Sequence, residues 1–172
     1  RPDVRFEIID VPGCYSLSAL SPDEFIATRA IIGRSDDGVL TPPDLIVVTL
    51  DASILARSLY LLAQVADAGR PMIAVLNLVD VAESKGIRVN PRKLSARLGM
   101  PVVSTVASKG RGIEKLREVI SRYDTIPSAE PIFSLGPTVE TFITEELETV
   151  SSVHPQTRPE LIRAVFDRHG LA

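Results

Sequence analysis

Cysteine occurs once in this 172-residue chain, histidine twice and tryptophan not at all. The single thiol, Cys14, rules out an internal disulfide and fits a reducing compartment. His154 and His169 stand too far apart for metal-ligand spacing and read as surface residues. No apolar run nears the roughly 18 residues that a membrane-spanning helix needs, and no secretory leader pattern opens the chain. Positive charge is not in excess: 19 Lys and Arg against 22 Asp and Glu give a formal −3. That balance argues against general binding of nucleic acid or of an anionic membrane surface. One motif is missing too. No GxxxxGK[ST] phosphate-binding loop occurs anywhere in the sequence.

What is present reads as an ordinary soluble domain with 45% apolar and 24% charged residues, long enough to bury a core. The first residue is Arg1, and apolar strand character begins almost at once, so the expectation is a piece of a longer protein. Four short apolar runs, at 5–9, 45–50, 72–76 and 102–105, are predicted as strands. "LIVVTL" and "MIAVL" are apolar at nearly every position, the pattern of strands buried on both faces. Helical stretches separate the runs. Ser21-Pro22-Asp23-Glu24 forms a capping box that opens a helix to about Ile32. Leu55, Leu59, Leu62 and Ala66 recur at helical spacing within 54–68, and further helices are predicted over 91–98 and 113–122. Asp51 is placed to cap the helix after the second strand. Residues 123–136, with Pro127 and Pro131, read as a linker before two helices at 137–150 and 158–169.

Strands alternating with helices imply an α/β fold, a mostly parallel sheet with helices on both faces. Such sheets bind ligands at the carboxyl ends of their strands. Three stretches fall on that edge: Asp10-Val11-Pro12-Gly13, Asn77-Leu78-Val79-Asp80, and the loop containing Val106, Ala107 and Ser108. Each is weak alone, and the order and separation of the three make them strong. An aspartate at a strand end can hold Mg²⁺ through a water, because that ion keeps most of its hydration shell. A glycine three residues on lets a backbone N–H approach a phosphate closely. Asp80 can accept two hydrogen bonds from the N1 and N2 donors of guanine, a pair that adenine lacks. Asn77 can contact the base or tie adjacent loops together, and the amides around Ala107 can donate to guanine O6. Asp10 and the Asn77/Asp80 pair also suit plain turns and helix caps, and Lys109 and Arg111 read as solvated loop charges. Cys14 reads as a small filler, and no catalytic residue is assigned.

The arrangement resembles the third, fourth and fifth motifs of the small GTPase fold. In detail "DVPGCYSLSALSPDE", "DASILARSLYLLAQVADAGRPMIAVLNLVDVAESKGI" and "LGMPVVSTVASKGRGIEKL" are similar to the G domain of the ferrous-iron transport protein B family. The resemblance implies a three-layer P-loop-NTPase-like fold, truncated at its N-terminus. It implies a partial guanine-nucleotide-binding domain over 1–124, a linker over 125–136 and the start of a helical subdomain over 137–172. It further implies GTP or GDP with Mg²⁺ as ligands of the intact parent, and a membrane permease region of the same parent chain as partner. Nucleotide state would regulate Fe²⁺ uptake from the cytoplasmic face of the bacterial inner membrane, while the segment itself is soluble.

Three departures qualify that expectation. Leu78 stands where the general Asn-Lys-x-Asp motif has lysine, and Cys14 where many GTPases have a water-orienting glutamine; the resembled family shares both traits. The missing phosphate loop, expected upstream of Arg1 together with the first switch, should remove most nucleotide affinity and hydrolysis from these residues. The rival reading is a degenerate GTPase-like module that acts by protein contact without hydrolysis.

Overall fold

A computed structural model describes residues 5–17, 21–35, 38–39, 41–133, 136–137, 141 and 144–145. In chain order the elements are α1 (Pro22–Ile32), an antiparallel pair β1 (Arg34–Ser35) and β2 (Gly38–Val39), β3 (Ile46–Asp51), α2 (Leu55–Ala66), β4 (Met72–Asn77), α3 (Val79–Ser84), α4 (Pro91–Leu98), β5 (Val102–Ser104) and α5 (Ile113–Ile120). Short 3₁₀ turns lie at Ala52–Ile54, Ala107–Lys109 and Tyr123–Thr125.

β4 is the middle strand of a three-stranded parallel sheet ordered β3-β4-β5. Its register runs from Ile46 opposite Met72 to Asp51 opposite Asn77 on one side, and from Ala74 opposite Val102 to Leu76 opposite Ser104 on the other. Side chains alternate across a strand, so β4 divides the core in two. Met72, Ala74 and Leu76 join Leu50, Leu62, Val65 and Ala66, with Leu59 and Leu98 against them. Ile73 and Val75 join Val103, packed by Leu116, Val119 and Ile120 of α5. This is the three-layer arrangement: α2 and α4 on one face, α5 on the other. The predicted buried strand at β4 is therefore found, with Met72 to Leu76 all buried.

The local signals account for the helix starts. Ser21 Oγ accepts from the Glu24 N–H (3.2 Å) with Pro22 at the first helical position, the N-cap half of the expected capping box. Asn90 caps α4 through the Lys93 N–H at 3.0 Å. Asp51 Oδ1 accepts from the Ser53 N–H at 2.7 Å, capping the turn that leads into α2.

Two expectations fail. Residues 5–9 form no strand; Ile8 is 88% exposed, and Phe6 meets Tyr123 edge-on at 6.0 Å between centroids. A strand exists through its ladder, and among the described residues nothing pairs with this segment. "LIVVTL" is not buried on both faces either: Val47 is 43% exposed and Thr49 is exposed, and among the described residues the α5 side chains on that face pack against Ile73, Val75 and Val103 of β4 and β5 instead. Residues 34–35 and 38–39 carry the β1–β2 pair. The first residues after Tyr123 pack on the body: Ile126 and Ala129 are buried, and the Ala129 N–H donates to the Arg70 carbonyl at 3.0 Å. Of the helix expected over 137–150 only residues 137, 141 and 144–145 are described, all helical, and 158–169 lies outside the described residues.

The division of the core by β4 gives a contrast. Leu76→Ala, at a fully buried position, should cost about 2–5 kcal/mol, whereas Val47→Thr on the open face should stay within about 0.5 kcal/mol. Urea denaturation of both variants checks this.

Candidate functional site

Two of the three expected stretches are held together by one atom. Asn77, the last residue of β4, presents Oδ1 to the Thr105 Oγ1–H at 3.0 Å and to the Ala107 N–H at 3.1 Å. The sheet sets this up: the Thr105 N–H continues the parallel ladder by donating to the Leu76 carbonyl (2.8 Å), so the two strand ends finish side by side. Thr105 and Val106 are almost wholly buried, so the loop's base is fixed while residues 107–111 are exposed. Of the two roles open to Asn77, tying the loops together is the one the geometry displays.

After Asn77 the chain must turn from strand to helix at once. Leu78 does this in the left-handed region, at φ 58°, the one non-glycine residue with positive φ among those described. Such a conformation costs a branched side chain about 1–3 kcal/mol, and it brings Asp80 into the first turn of α3. Asp80 Oδ1 accepts from the Val81 N–H at 3.0 Å, and Oδ2 is met by Lys109 Nζ at 2.7 Å. The Lys109 ammonium holds the Asp80 carboxyl below the usual carboxylate range, chiefly through that hydrogen bond. A depressed carboxyl favours the folded state above its ordinary range, and this contribution fades as pH falls through the lowered value.

The 105–112 loop closes on itself. The Val106 N–H donates to the Arg111 carbonyl at 2.9 Å, and Gly112 follows at φ 85°. A Cβ on Gly112 would collide with the Ser104 carbonyl oxygen and come within 3.2 Å of Thr105 Cα, so only glycine fits.

The first stretch stands apart. Asp10 is exposed, and no hydrogen bond joins residues 10–13 to the other two stretches among the described residues. Val11 and Cys14 pack against the larger core cluster, where burial pushes the Cys14 thiol up and Glu24 and Asp23 add to the effect. Gly13 has neither a positive φ nor any atom within 4 Å of where a Cβ would stand, so the fold itself makes no demand for glycine there. Beyond it the chain is anchored. Arg57 lies 3.7 Å over the Tyr15 ring, Ser16 Oγ donates to Glu24 Oε1 (2.6 Å), and the buried Leu17 offers its N–H to Gln64 Oε1 at 2.9 Å.

The fit to a metal is limited but specific. Among the described residues no three His, Cys, Asp or Glu side chains cluster as a ligand set. An exposed lone carboxylate suits contact with a hydrated Mg²⁺ through water, not a direct cage. A concavity of about 340 Å³ opens beside α3, lined in part by Val79, Ala82, Val89, Ser104 and Arg111, but it includes neither Asn77 nor Asp80. Lys109 and Thr105 were not among the expected site residues. Thr105 lies one residue beyond β5, where the edge rule points; nothing in the sequence pairs Lys109 with Asp80.

The sequence model of the family described as ferrous iron transport protein B matches residues 1–120. The Fe(2+) transporter FeoB of Escherichia coli K12 is 37% identical over 161 residues, 91% of this chain. The chain spans only 19% of that transporter's length. Among solved structures, the FeoB G-domain from Methanococcus jannaschii is 42% identical with a TM-score of 0.60, covering 67% of this chain and 69% of that one. The cytosolic domain of the T. maritima FeoB iron transporter in its GMPPNP form is 28% identical with a TM-score of 0.76, covering 91% of this chain and 61% of that one.

Gly112→Ala tests the loop geometry. It should cost about 2 kcal/mol or more, read by urea denaturation, with the amide resonances of Ala107 and Ser108 displaced by NMR.

Proposed function

This chain belongs to the ferrous iron transport protein B family, and from that premise we propose that it forms the base-selecting part of a guanine-nucleotide-binding domain. The parent is a ferrous-iron transporter whose nucleotide state regulates Fe²⁺ movement through a separate membrane region, with this domain on the cytoplasmic face. Residues 1–124 belong to the G domain, 125–136 connect it, and 137–172 begin a helical subdomain. No helix among the described residues is long and apolar enough to cross a membrane.

The observation that carries this reading is the double acceptance at Asn77 Oδ1. It supports a base site in which Asp80 takes the N1 and N2 donors of guanine and the loop of Val106, Ala107 and Ser108, held in place by the Val106 and Ala107 N–H bonds, lies at the O6 edge. Leu78 and Val79 line its approach. Asp10, Val11, Pro12 and Gly13 serve the phosphate end. The relatives point the same way, since one is described in a GMPPNP form. Mg²⁺, met by Asp10 through water, would neutralise phosphate charge there. No hydrolytic step is assigned to these residues: the GxxxxGK[ST] loop that cradles phosphates is not among them.

In the full-length parent, Asp80→Asn should weaken GTP binding and shift preference toward xanthosine triphosphate, whose C2 carbonyl can accept from the new amide. Unchanged affinity for both nucleotides would remove the base-site assignment. For the 172-residue chain, calorimetry with GTP and Mg²⁺ should register weak binding or none, because the base end of the site alone gives a contact too weak for that method, though not for NMR at high ligand concentration. Sub-micromolar affinity would show that the phosphate loop is dispensable.

A further inference from the structure

Beside the Thr105–Asn77 bond at the strand ends, two bonds bridge the same pair of loops. The inner one runs from the Ala107 N–H to Asn77 Oδ1, uncharged and next to the buried Thr105. The outer one runs from Lys109 Nζ to Asp80 Oδ2 at 2.7 Å, with the lysine side chain 68% exposed and the aspartate 27%. Lys109 is two residues past Ala107, and Asp80 is three past Asn77, so the ammonium crosses from the loop of amide donors to the carboxylate that faces it. The base site proposed above lies between those same groups, and this inference rests on that reading.

A carboxylate only accepts hydrogen bonds. Guanine needs both oxygens of Asp80 for its N1 and N2 donors. Oδ1 already takes the Val81 N–H, a backbone bond that stays in place, and Oδ2 is engaged by Lys109. The base and the ammonium therefore want the same acceptor from the same, solvent-facing side. We infer that Lys109 is a competing counter-ion for Asp80: the inner bridge is the permanent tie between the loops, and the outer one is a clasp that opens when guanine enters. The lysine thus tunes base affinity downward. Because the clasp is ionic and exposed, salt weakens it, while the contacts of an uncharged base are little affected.

The test is an NMR titration of the 172-residue chain with guanosine, a neutral ligand that needs no phosphate site, compared across Lys109→Met and Lys109→Arg. Lys109→Met should bind roughly twofold to fivefold more tightly than wild type at low salt, the range set by an exposed ion pair. Raising KCl should strengthen guanosine binding to wild type toward the Lys109→Met value and leave Lys109→Met nearly unchanged. Lys109→Arg, which keeps the ion pair, should keep the wild-type salt response. If wild type binds guanosine but Lys109→Met binds equally or more weakly, or shows the same salt response, the clasp is refuted while the base site stands. If neither protein shifts the resonances of residues 77–80 or 105–109 with guanosine, the base-site reading falls and the clasp falls with it.

Discussion

One carbonyl oxygen does what the rest of the site requires. Asn77 Oδ1 accepts from a side-chain hydroxyl and a backbone amide that belong to the next strand end, 28 and 30 residues away in sequence. Without that acceptor the loop after β5 would have two donors to satisfy at the sheet edge. A buried donor left unpaired costs about 1–3 kcal/mol. Asparagine is suited to the position because its amide oxygen accepts twice without carrying charge, so the tie draws no counter-ion into the loop base.

The sheet makes this bond possible. β4 is covered on both faces, and its parallel register with β5 fixes where Thr105 stands relative to Asn77. The core then bears the cost of local strain at the edge: Leu78 in the left-handed region lies two residues past the fully buried Leu76, and the crowded Gly112 turn backs onto Ser104 and Thr105. Strain of this kind persists where surrounding packing over-determines it.

Much of this was legible from the residues. The buried pattern of "MIAVL", the Ser21 capping box and the Asp51 cap are local rules whose structural counterparts are direct. The NxxD and loop stretches follow β4 and β5, where the strand-end rule points, while the DxxG stretch follows no strand among the described residues. What was not legible depends on neighbours. Residues 5–9 carry the composition of a strand, but pairing decides, and composition is silent about pairing. Val47 and Thr49 look buried until α5 is seen to pack over β4 and β5 on that face. Lys109 gave no signal because an ion pair 29 residues apart is a property of two loops, not of either.

The anchoring of Leu17 has a mechanical meaning. Its side chain is set into the core and its amide held by Gln64 on α2, while Tyr15 is clamped by Arg57 of the same helix. Asp10 and Leu17 are therefore the two ends of a tether of seven residue steps, at most roughly 25 Å when fully drawn out, with its far end pinned. Slack lies only at the Pro12-Gly13 turn, since Val11 and Cys14 pack against the core and Tyr15 and Ser16 are each held. Any pull at Asp10 that uses up this slack reaches α2 as a load on Arg57 and Gln64.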